Sequence, residues 1–286
     1  MTRHPFPMGA CDTHMHIYDS RYPVASTSVL RPPDASVADY RRVQEGLGLQ
    51  RVVVVQPSTY GLDNSCTLDA VAELGDEARA VVVVDDHVSD AELERLTLLG
   101  ARGARFHMLP GGAVPWDIMH AVAERIVPHG WHIQLQMNGR DLVDRIDGLL
   151  ALPTPLVVDH AGRYMPPVVP DDARFGALLR LLDTGRCWVK LSAPYESAPD
   201  PTHEHAGVSR LVHALVDRTP ERMLWATNWP HPGQSAPPSF ADLSRLAAEW
   251  MPDATVRRRI LVDNPAELYR FDRVAPSPSI HTQEKP

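Results

Sequence analysis

Three histidines of the sequence occupy positions from which they could carry out acid–base or metal chemistry. His14 and His16 form a His-x-His pair near the amino terminus, and His160 follows an apolar run that ends in Asp159. Residues two apart lie on the same face of a strand, so the two imidazoles of the pair can converge on one point. Imidazole titrates near neutral pH, and its neutral form is a common zinc ligand. We predict that all three are catalytic and that no metal is obligatory. The alternative is a single divalent ion such as zinc, bound by the same three histidines.

Polar side chains beside other apolar runs could bind a carboxylated ligand. Arg105 alternates with apolar neighbours, and a buried arginine needs an anion or a carboxylate as its partner. An internal ion pair would meet the same need and stays open as an alternative. The other predicted substrate-binding residues carry a guanidinium, hydroxyl or amide group: Ser58, Tyr60, Gln136, Arg163 and Tyr195.

Eight short apolar runs, rich in β-branched residues, provide the elements that would position these side chains. They recur at intervals of about 30 residues, the length of one βα unit. Several do not alternate apolar with polar residues, which is typical of strands covered on both faces. The predicted strands are Cys11–Ile17, Arg51–Val55, Ala80–Val84, Gly103–Phe106, His132–Gln136, Leu156–Asp159, Trp188–Leu191 and Met223–Ala226.

Helical patterns fill most gaps between these runs, for example Pro115–Ile126 and Asp141–Leu150. Asn64 is a candidate N-cap of one such helix, which would give the loop around Ser58 a structural role instead of a binding role. The alternation predicts a (β/α)8 TIM barrel, with a doubly wound sheet as the alternative. Residues 1–272 would form this single catalytic domain, and the Pro- and Ser-rich residues 273–286 a disordered tail.

Asn228 stands at the end of the eighth run, where a barrel hydrolase would keep a carboxylate. In such barrels the catalytic groups cluster at the carboxyl ends of the strands. An amide accepts no proton near neutral pH and offers only hydrogen bonds. One of the three histidines would then be the general base, and Asn228 would position the water or the substrate carbonyl.

Composition excludes several functional classes. The formal net charge is −8 and the isoelectric point is about 5.9, which disfavours binding to nucleic acid. No apolar run is long enough for a membrane span, and the amino terminus lacks the apolar core of a signal peptide. The three cysteines show no CxxC spacing, so we interpret them as reduced thiols of a cytoplasmic protein. The oligomeric state is open, with a homodimer as one alternative.

Four segments together resemble the amidohydrolase superfamily: DTHMH at 12–16, VVDHAGR at 157–163, WVKLSAPY at 188–195 and WATNWPHP at 225–232. More closely, residues 8–272 are similar to the branch that contains 2-pyrone-4,6-dicarboxylate lactonase and galactarolactone-type lactone isomerases. The resemblance implies the metal-dependent hydrolase type of TIM barrel, although this branch has members that need no metal. It also implies a substrate that is a lactone bearing carboxylates.

The resemblance assigns roles to matching residues. It implies that His14, His16 and His160, with Arg105 and Arg163, surround the lactone carbonyl and the acid groups. Three departures accompany it. Asn228 replaces the aspartate that activates water in the lactonase, Gln136 replaces a tyrosine, and Tyr195-Glu196 stand where the lactonase has an arginine.

Lactone hydrolysis requires a polarised carbonyl, deprotonation of water and departure of the ring oxygen. We therefore predict a hydrolase that opens the lactone of a small carboxylated substrate. A lactone isomerase, or another histidine-mediated acid–base enzyme acting on a carboxylated ring, is the first alternative. A non-catalytic protein that binds a small acid is the second, because of Asn228.

Overall fold

The computed structural model describes residues 5–165, 168–197 and 205–272, which form a (β/α)8 barrel. Eight parallel strands follow one another around the barrel in sequence order. This confirms the predicted fold class. The predicted tail, residues 273–286, lies outside the described residues, and the domain boundary at residue 272 stays a prediction. The strands are β1 (Cys11–Met15), β2 (Arg51–Val55), β3 (Ala78–Val82), β4 (Ala101–His107), β5 (His132–Gln136), β6 (Leu156–Val158), β7 (Cys187–Leu191) and β8 (Met223–Trp225).

Helices cover the outer face of the strands. Within the described ranges, none of them has the length and apolar character that crossing a bilayer requires. The α-helices are α1 (Val37–Leu47), α2 (Ser65–Leu74), α3 (Asp90–Leu98), α4 (Met119–Ile126), α5 (Ile146–Leu150), α6 (Ala173–Asp183), α7 (Ala206–Arg218), α8 (Phe240–Trp250), α9 (Ala254–Arg258) and α10 (Asn264–Tyr269). The first parts of the predicted fourth and fifth helices are instead 3-10 turns, Trp116–Ile118 and Gly139–Asp144.

Asn64 sets the end of β3 and does not cap α2 with its side chain. Its side-chain oxygen accepts a hydrogen bond from the Val83 amide at 2.8 Å, and its nitrogen donates to the Val83 carbonyl at 2.8 Å. Val83 is therefore paired with a side chain and not with a neighbouring strand. This explains why β3 ends at Val82, two residues before the predicted end.

The interior of the barrel is apolar where the strands begin. Cys11, Val53 and Trp188 belong to one buried cluster with Tyr269, the last residue of α10, and Phe271, which lies just after that helix. These aromatic side chains fill the interior at that end. Most polar side chains of the interior lie further along the strands, and His132, the first residue of β5, is a buried exception that packs against Tyr269.

Asp12 joins β1 to β8, the two strands whose edges close the barrel. Its carboxylate accepts hydrogen bonds from the amide and hydroxyl of Thr227, at 3.0 and 2.5 Å, and from the Tyr40 hydroxyl at 3.0 Å. The backbone N–H of Asn228 donates to the backbone carbonyl of His14 at 2.9 Å across the same edge. Burial raises the pKa of Asp12 to about 6 despite these donors. A single buried carboxylate thus connects the strands that carry His14 and Asn228.

Candidate active site

A cavity of about 260 Å³ opens at the carboxyl ends of the strands. Its lining brings together residues that are far apart in the sequence, as the barrel prediction required. Seven predicted site residues line it: His16, Ser58, Arg105, Gln136, His160, Arg163 and Asn228.

A charged cluster lies beneath the cavity in the barrel interior. The Lys190 ammonium lies 3.6 Å from the Asp159 carboxylate, and neither side chain is exposed to solvent. Gln134 links them, because its amide oxygen accepts from Lys190 at 2.6 Å and its nitrogen donates to Asp159 at 3.0 Å. Burial lowers the pKa of Lys190 to about 8. Lys190 and Asp159 together bring no net charge when both are ionised.

The imidazole rings of His14 and His16 are hydrogen-bonded to each other. Their Nε2 atoms lie 3.2 Å apart, and facing lone pairs would repel at that distance. His16 Nδ1 lies 2.8 Å from the Val55 carbonyl and therefore donates to it. Because burial lowers the pKa of His16 to about 3, the ring is neutral and its Nε2 is an acceptor. His14 therefore donates its Nε2 hydrogen to His16. Its Nδ1 atom lies 3.2 Å from the Asp159 carboxylate and 3.4 Å from the Lys190 ammonium.

His160 is the third histidine of the site and lines the cavity itself. Its Nδ1 lies 2.9 Å from the Ser192 hydroxyl. Burial, with the nearby His14 imidazole, holds the pKa of His160 below its usual range, so its ring is neutral at pH 7. His160 also has a left-handed backbone, with a φ of 54°. Such a conformation is uncommon for a non-glycine residue and occurs often at functional sites.

Arg105 is a buried cation in the wall of the cavity. It donates to the Gln56 carbonyl and to the Gln136 side-chain oxygen, both at 2.7 Å. Neither partner is charged. In the described part of the chain, no carboxylate lies within salt-bridge distance of the Arg105 guanidinium either. Gln136 Oε1 also lies 3.0 Å from His107 Nδ1, and burial lowers the pKa of His107 to about 4. Arg105 therefore offers positive charge to an anion in the cavity.

Arg163 and Glu196 form an ion pair at the mouth of the cavity. The Arg163 Nε atom donates to a Glu196 carboxylate oxygen at 3.0 Å. The two side chains are 21% and 20% exposed, so this pair meets solvent, unlike Lys190 and Asp159. Arg163 was predicted to bind the substrate, which stays a prediction, and its anionic partner within the protein is Glu196.

Asn228 is oriented by a chain of two hydrogen bonds. Its side-chain nitrogen donates to the Tyr195 hydroxyl at 3.0 Å, and that hydroxyl donates to His231 Nδ1 at 2.9 Å. Burial lowers the pKa of His231 to about 4, which keeps this ring a neutral acceptor. The side-chain nitrogen of Asn228 carries a second hydrogen for a ligand.

The remaining predicted residues lie outside the lining. His14 lies under His16, and Tyr195 contacts Asn228 from behind. The Tyr60 hydroxyl accepts from the Asp19 amide at 2.8 Å and donates to the Asp19 carbonyl at 3.1 Å. The structure therefore gives Tyr60 a role in holding the loop after β1 and shows no contact between it and the cavity.

Comparison with known proteins identifies the family. The model of a family described as amidohydrolase matches residues 11–271. The chain belongs to the amidohydrolase family. The resemblance seen in its motifs is thereby confirmed.

Relatives within the amidohydrolase family are lactone-processing enzymes. D-galactarolactone isomerase of Agrobacterium fabrum is 38% identical over 274 residues, which cover 94% of each chain. The 2-pyrone-4,6-dicarboxylate hydrolase of Comamonas testosteroni is 34% identical, over 92% of this chain and 90% of that one. An apo crystal structure from Agrobacterium tumefaciens superposes with a TM-score of 0.88 at 37% identity, covering 94% of this chain and 98% of that chain.

Members of this family prompt the question whether the site fits a divalent metal. His14, Asp159 and His160 bring ligand atoms within 4.8 Å of one another, so this set includes Asp159 and not the predicted His16. Asp159 also pairs with Lys190, and the same carboxylate lies 3.2 Å from His14 Nδ1. A divalent cation there would lie beside the ammonium and share one carboxylate with it. The three residues are thus a candidate metal cluster whose neighbouring ammonium opposes a divalent charge.

Sequence analysis missed three titratable residues that line the cavity and two charged residues beneath it. His107 lies two residues after Arg105 on β4, so period-two spacing along that strand could have found it. Tyr18 lies two residues after His16, and the same spacing along the predicted strand Cys11–Ile17 points to it. Glu196 lines the cavity as well. Its pairing with Arg163 had no sequence signal, and neither did the pairing of Lys190 with Asp159.

Proposed function

We propose that this amidohydrolase-family protein isomerises the lactone of a small hydroxylated acid. In such a reaction the acyl group moves from the ring oxygen to another hydroxyl of the same molecule. The observation that carries the proposal is Asn228, an amide where a hydrolase needs a base to activate water. The 38% identity to D-galactarolactone isomerase supports the same assignment.

The proposed reaction requires one group that takes up a proton and returns it. A hydroxyl of the substrate forms a bond to the carbonyl carbon, and its proton passes to Nε2 of His160. The bond from that carbon to the ring oxygen then breaks, and the departing oxygen takes the proton back. His160 suits this role because its ring is neutral and its Nδ1 is hydrogen-bonded to the Ser192 hydroxyl. We assign the Nδ1 hydrogen to that bond, which leaves Nε2 as the acceptor.

The other site residues bind and polarise the substrate. We assign the free side-chain hydrogen of Asn228 to the carbonyl oxygen, where negative charge develops as the carbon is attacked. Arg105 is assigned to the carboxylate of the substrate, since its charge is not neutralised by the protein. No step requires a metal, and activity is expected to survive chelation.

Hydrolysis, the first choice of the sequence analysis, is the second candidate. His16 and His160 are neutral and line the cavity, so either could accept a proton from water. The relative from Comamonas testosteroni, named as a hydrolase, supports this candidate. Its base would be His160, as in the isomerisation, because His16 Nε2 already accepts from His14.

The test is to incubate the purified protein with 1,4- and 1,5-lactones of aldaric acids and to follow the products by NMR. We expect the regioisomeric lactone to form before any ring-opened acid, with and without chelator. His160→Ala should retain the fold by circular dichroism and lose about three orders of magnitude in turnover. Asn228→Asp should increase the proportion of ring-opened acid, because a carboxylate can activate water.

Three results would contradict the proposal. Ring-opened acid as the first product of the wild type would establish the hydrolase instead. A lactone that binds and raises the melting temperature without any product would indicate a binding protein. Unchanged turnover in His160→Ala would remove that residue from the mechanism.

A further inference from the structure

The cavity carries a small and unequal set of fixed charges. Among the described residues that line it, Arg105 and Arg163 are cations and Glu196 is an anion. The histidines in the lining are neutral at pH 7 because burial lowers the pKa of each, to about 3 for His16 and about 4 for His107. Two guanidinium groups and one carboxylate leave one net positive charge.

We propose that Glu196 selects lactones that carry one carboxylate and rejects acids that carry two. The inference rests on the proposed lactone chemistry and adds the charge of the substrate to it. One net positive charge in the cavity complements one carboxylate. A second carboxylate of a ligand would face Glu196, and two like charges in a partly desolvated site repel.

This selection also separates isomerisation from hydrolysis. Isomerisation converts one lactone into another, so the number of carboxylates on the molecule stays the same. Hydrolysis adds water across the ring ester, forming one new hydroxyl and one new carboxylic acid, which loses its proton to solvent. The hydrolysis product therefore carries one more negative charge than its lactone. The cavity should therefore bind this product more weakly than it binds either lactone.

The position of Glu196 is fixed by two independent contacts. Its backbone amide donates to the Ala193 carbonyl at 2.9 Å, within the turn Pro194–Glu196 that follows β7. Its carboxylate accepts from Arg163 Nε at 3.0 Å. Arg163 follows β6, so Glu196 is held in the wall from two neighbouring loops and faces any ligand that enters.

The experiment measures the binding of two unreactive sugar acids by isothermal titration calorimetry. Gluconate carries one carboxylate, and glucarate differs from it by a second carboxylate in place of a hydroxymethyl group. We expect the wild type to bind gluconate about tenfold more tightly than glucarate. Glu196→Gln, which keeps an oxygen for Arg163, should remove this preference by strengthening glucarate binding more than gluconate binding.

Two further variants make the result decisive. Glu94→Gln removes the same charge from an exposed position on α3 and should keep the wild-type preference. Arg163→Gln removes a cation and should weaken the binding of both acids. The proposal fails if the wild type binds glucarate as well as gluconate, if it binds neither, or if Glu196→Gln keeps the preference. Because neither acid reacts, the result does not depend on whether the protein turns over lactones.

Discussion

Two pairs of a cation and a carboxylate lie at different depths in this barrel. Lys190 and Asp159 are fully buried, whereas Arg163 and Glu196 are each about one-fifth exposed. The buried pair has no access to a ligand and contacts His14 Nδ1 through both of its members, Asp159 at 3.2 Å and Lys190 at 3.4 Å. The outer pair lines the cavity and meets the ligand directly. The same chemistry therefore serves to organise the histidines at depth and to discriminate between substrates at the mouth.

The environment explains the difference in role. An unpaired charge in the interior is costly, so neither member of the buried pair can leave the other. An exposed pair contributes about 0–1 kcal/mol, since water solvates both members when they separate. Separation of Arg163 from Glu196 therefore costs little free energy, whereas separation of Lys190 from Asp159 leaves two buried charges unpaired.

The largest effect is expected from breaking the buried pair. Lys190→Met leaves the Asp159 carboxylate uncompensated and should lower the free energy of unfolding by about 3–5 kcal/mol. Turnover should fall with it, because His14 loses the ammonium beside its Nδ1. Urea denaturation and NMR assays of lactone turnover measure the two effects. A variant as stable as the wild type would show that the pair does not stabilise the interior.

The effect expected from acidification is smaller for each histidine and each pH unit. Burial lowers the pKa of His16 and His132 to about 3 and that of His107 and His231 to about 4, whereas unfolded histidine titrates near 6.5. The unfolded chain then binds more protons, so each contributes stability above about pH 6.5 that is lost as the pH falls towards about 4, by up to about 1.4 kcal/mol per pH unit.

Urea denaturation at a series of pH values tests this expectation. His107→Gln should give a shallower decline in the free energy of unfolding than the wild type, because one histidine no longer takes up a proton. Equal slopes would show that His107 titrates alike in both states.

The smallest effect is expected at the mouth. Glu196→Gln should change the free energy of unfolding by no more than about 1 kcal/mol, since the pair is partly solvated and glutamine still accepts from Arg163. Comparison with Lys190→Met in the same urea series sharpens the contrast between the two pairs. A loss as large as that of Lys190→Met would mean that the mouth is as rigid as the interior.

Local sequence patterns predicted the architecture because strands covered on both faces require apolar runs such as that of β2. The same patterns placed His16, Arg105, His160 and Asn228 together, since all four follow or end strands of one barrel. The patterns could not predict that β3 ends at Val82, because this depends on a side chain distant in the sequence.

Ionic partners could not be predicted either. Any carboxylate of the chain could have been the partner of Lys190 until the strands were in register. Tyr60 was predicted to bind substrate from its position after a strand, yet its hydroxyl is used by the backbone of Asp19. Strand ends thus indicate where polar groups gather and leave open which of them bind one another.

The backbone of Asn228 has a φ of 61°, a left-handed conformation in which asparagine, aspartate and glycine are the residues tolerated best. A barrel with this turn can therefore exchange asparagine for aspartate at position 228 without a change in the backbone conformation of the loop. In evolutionary terms, a neighbouring catalytic activity lies one substitution away, at a site whose backbone already accepts both side chains.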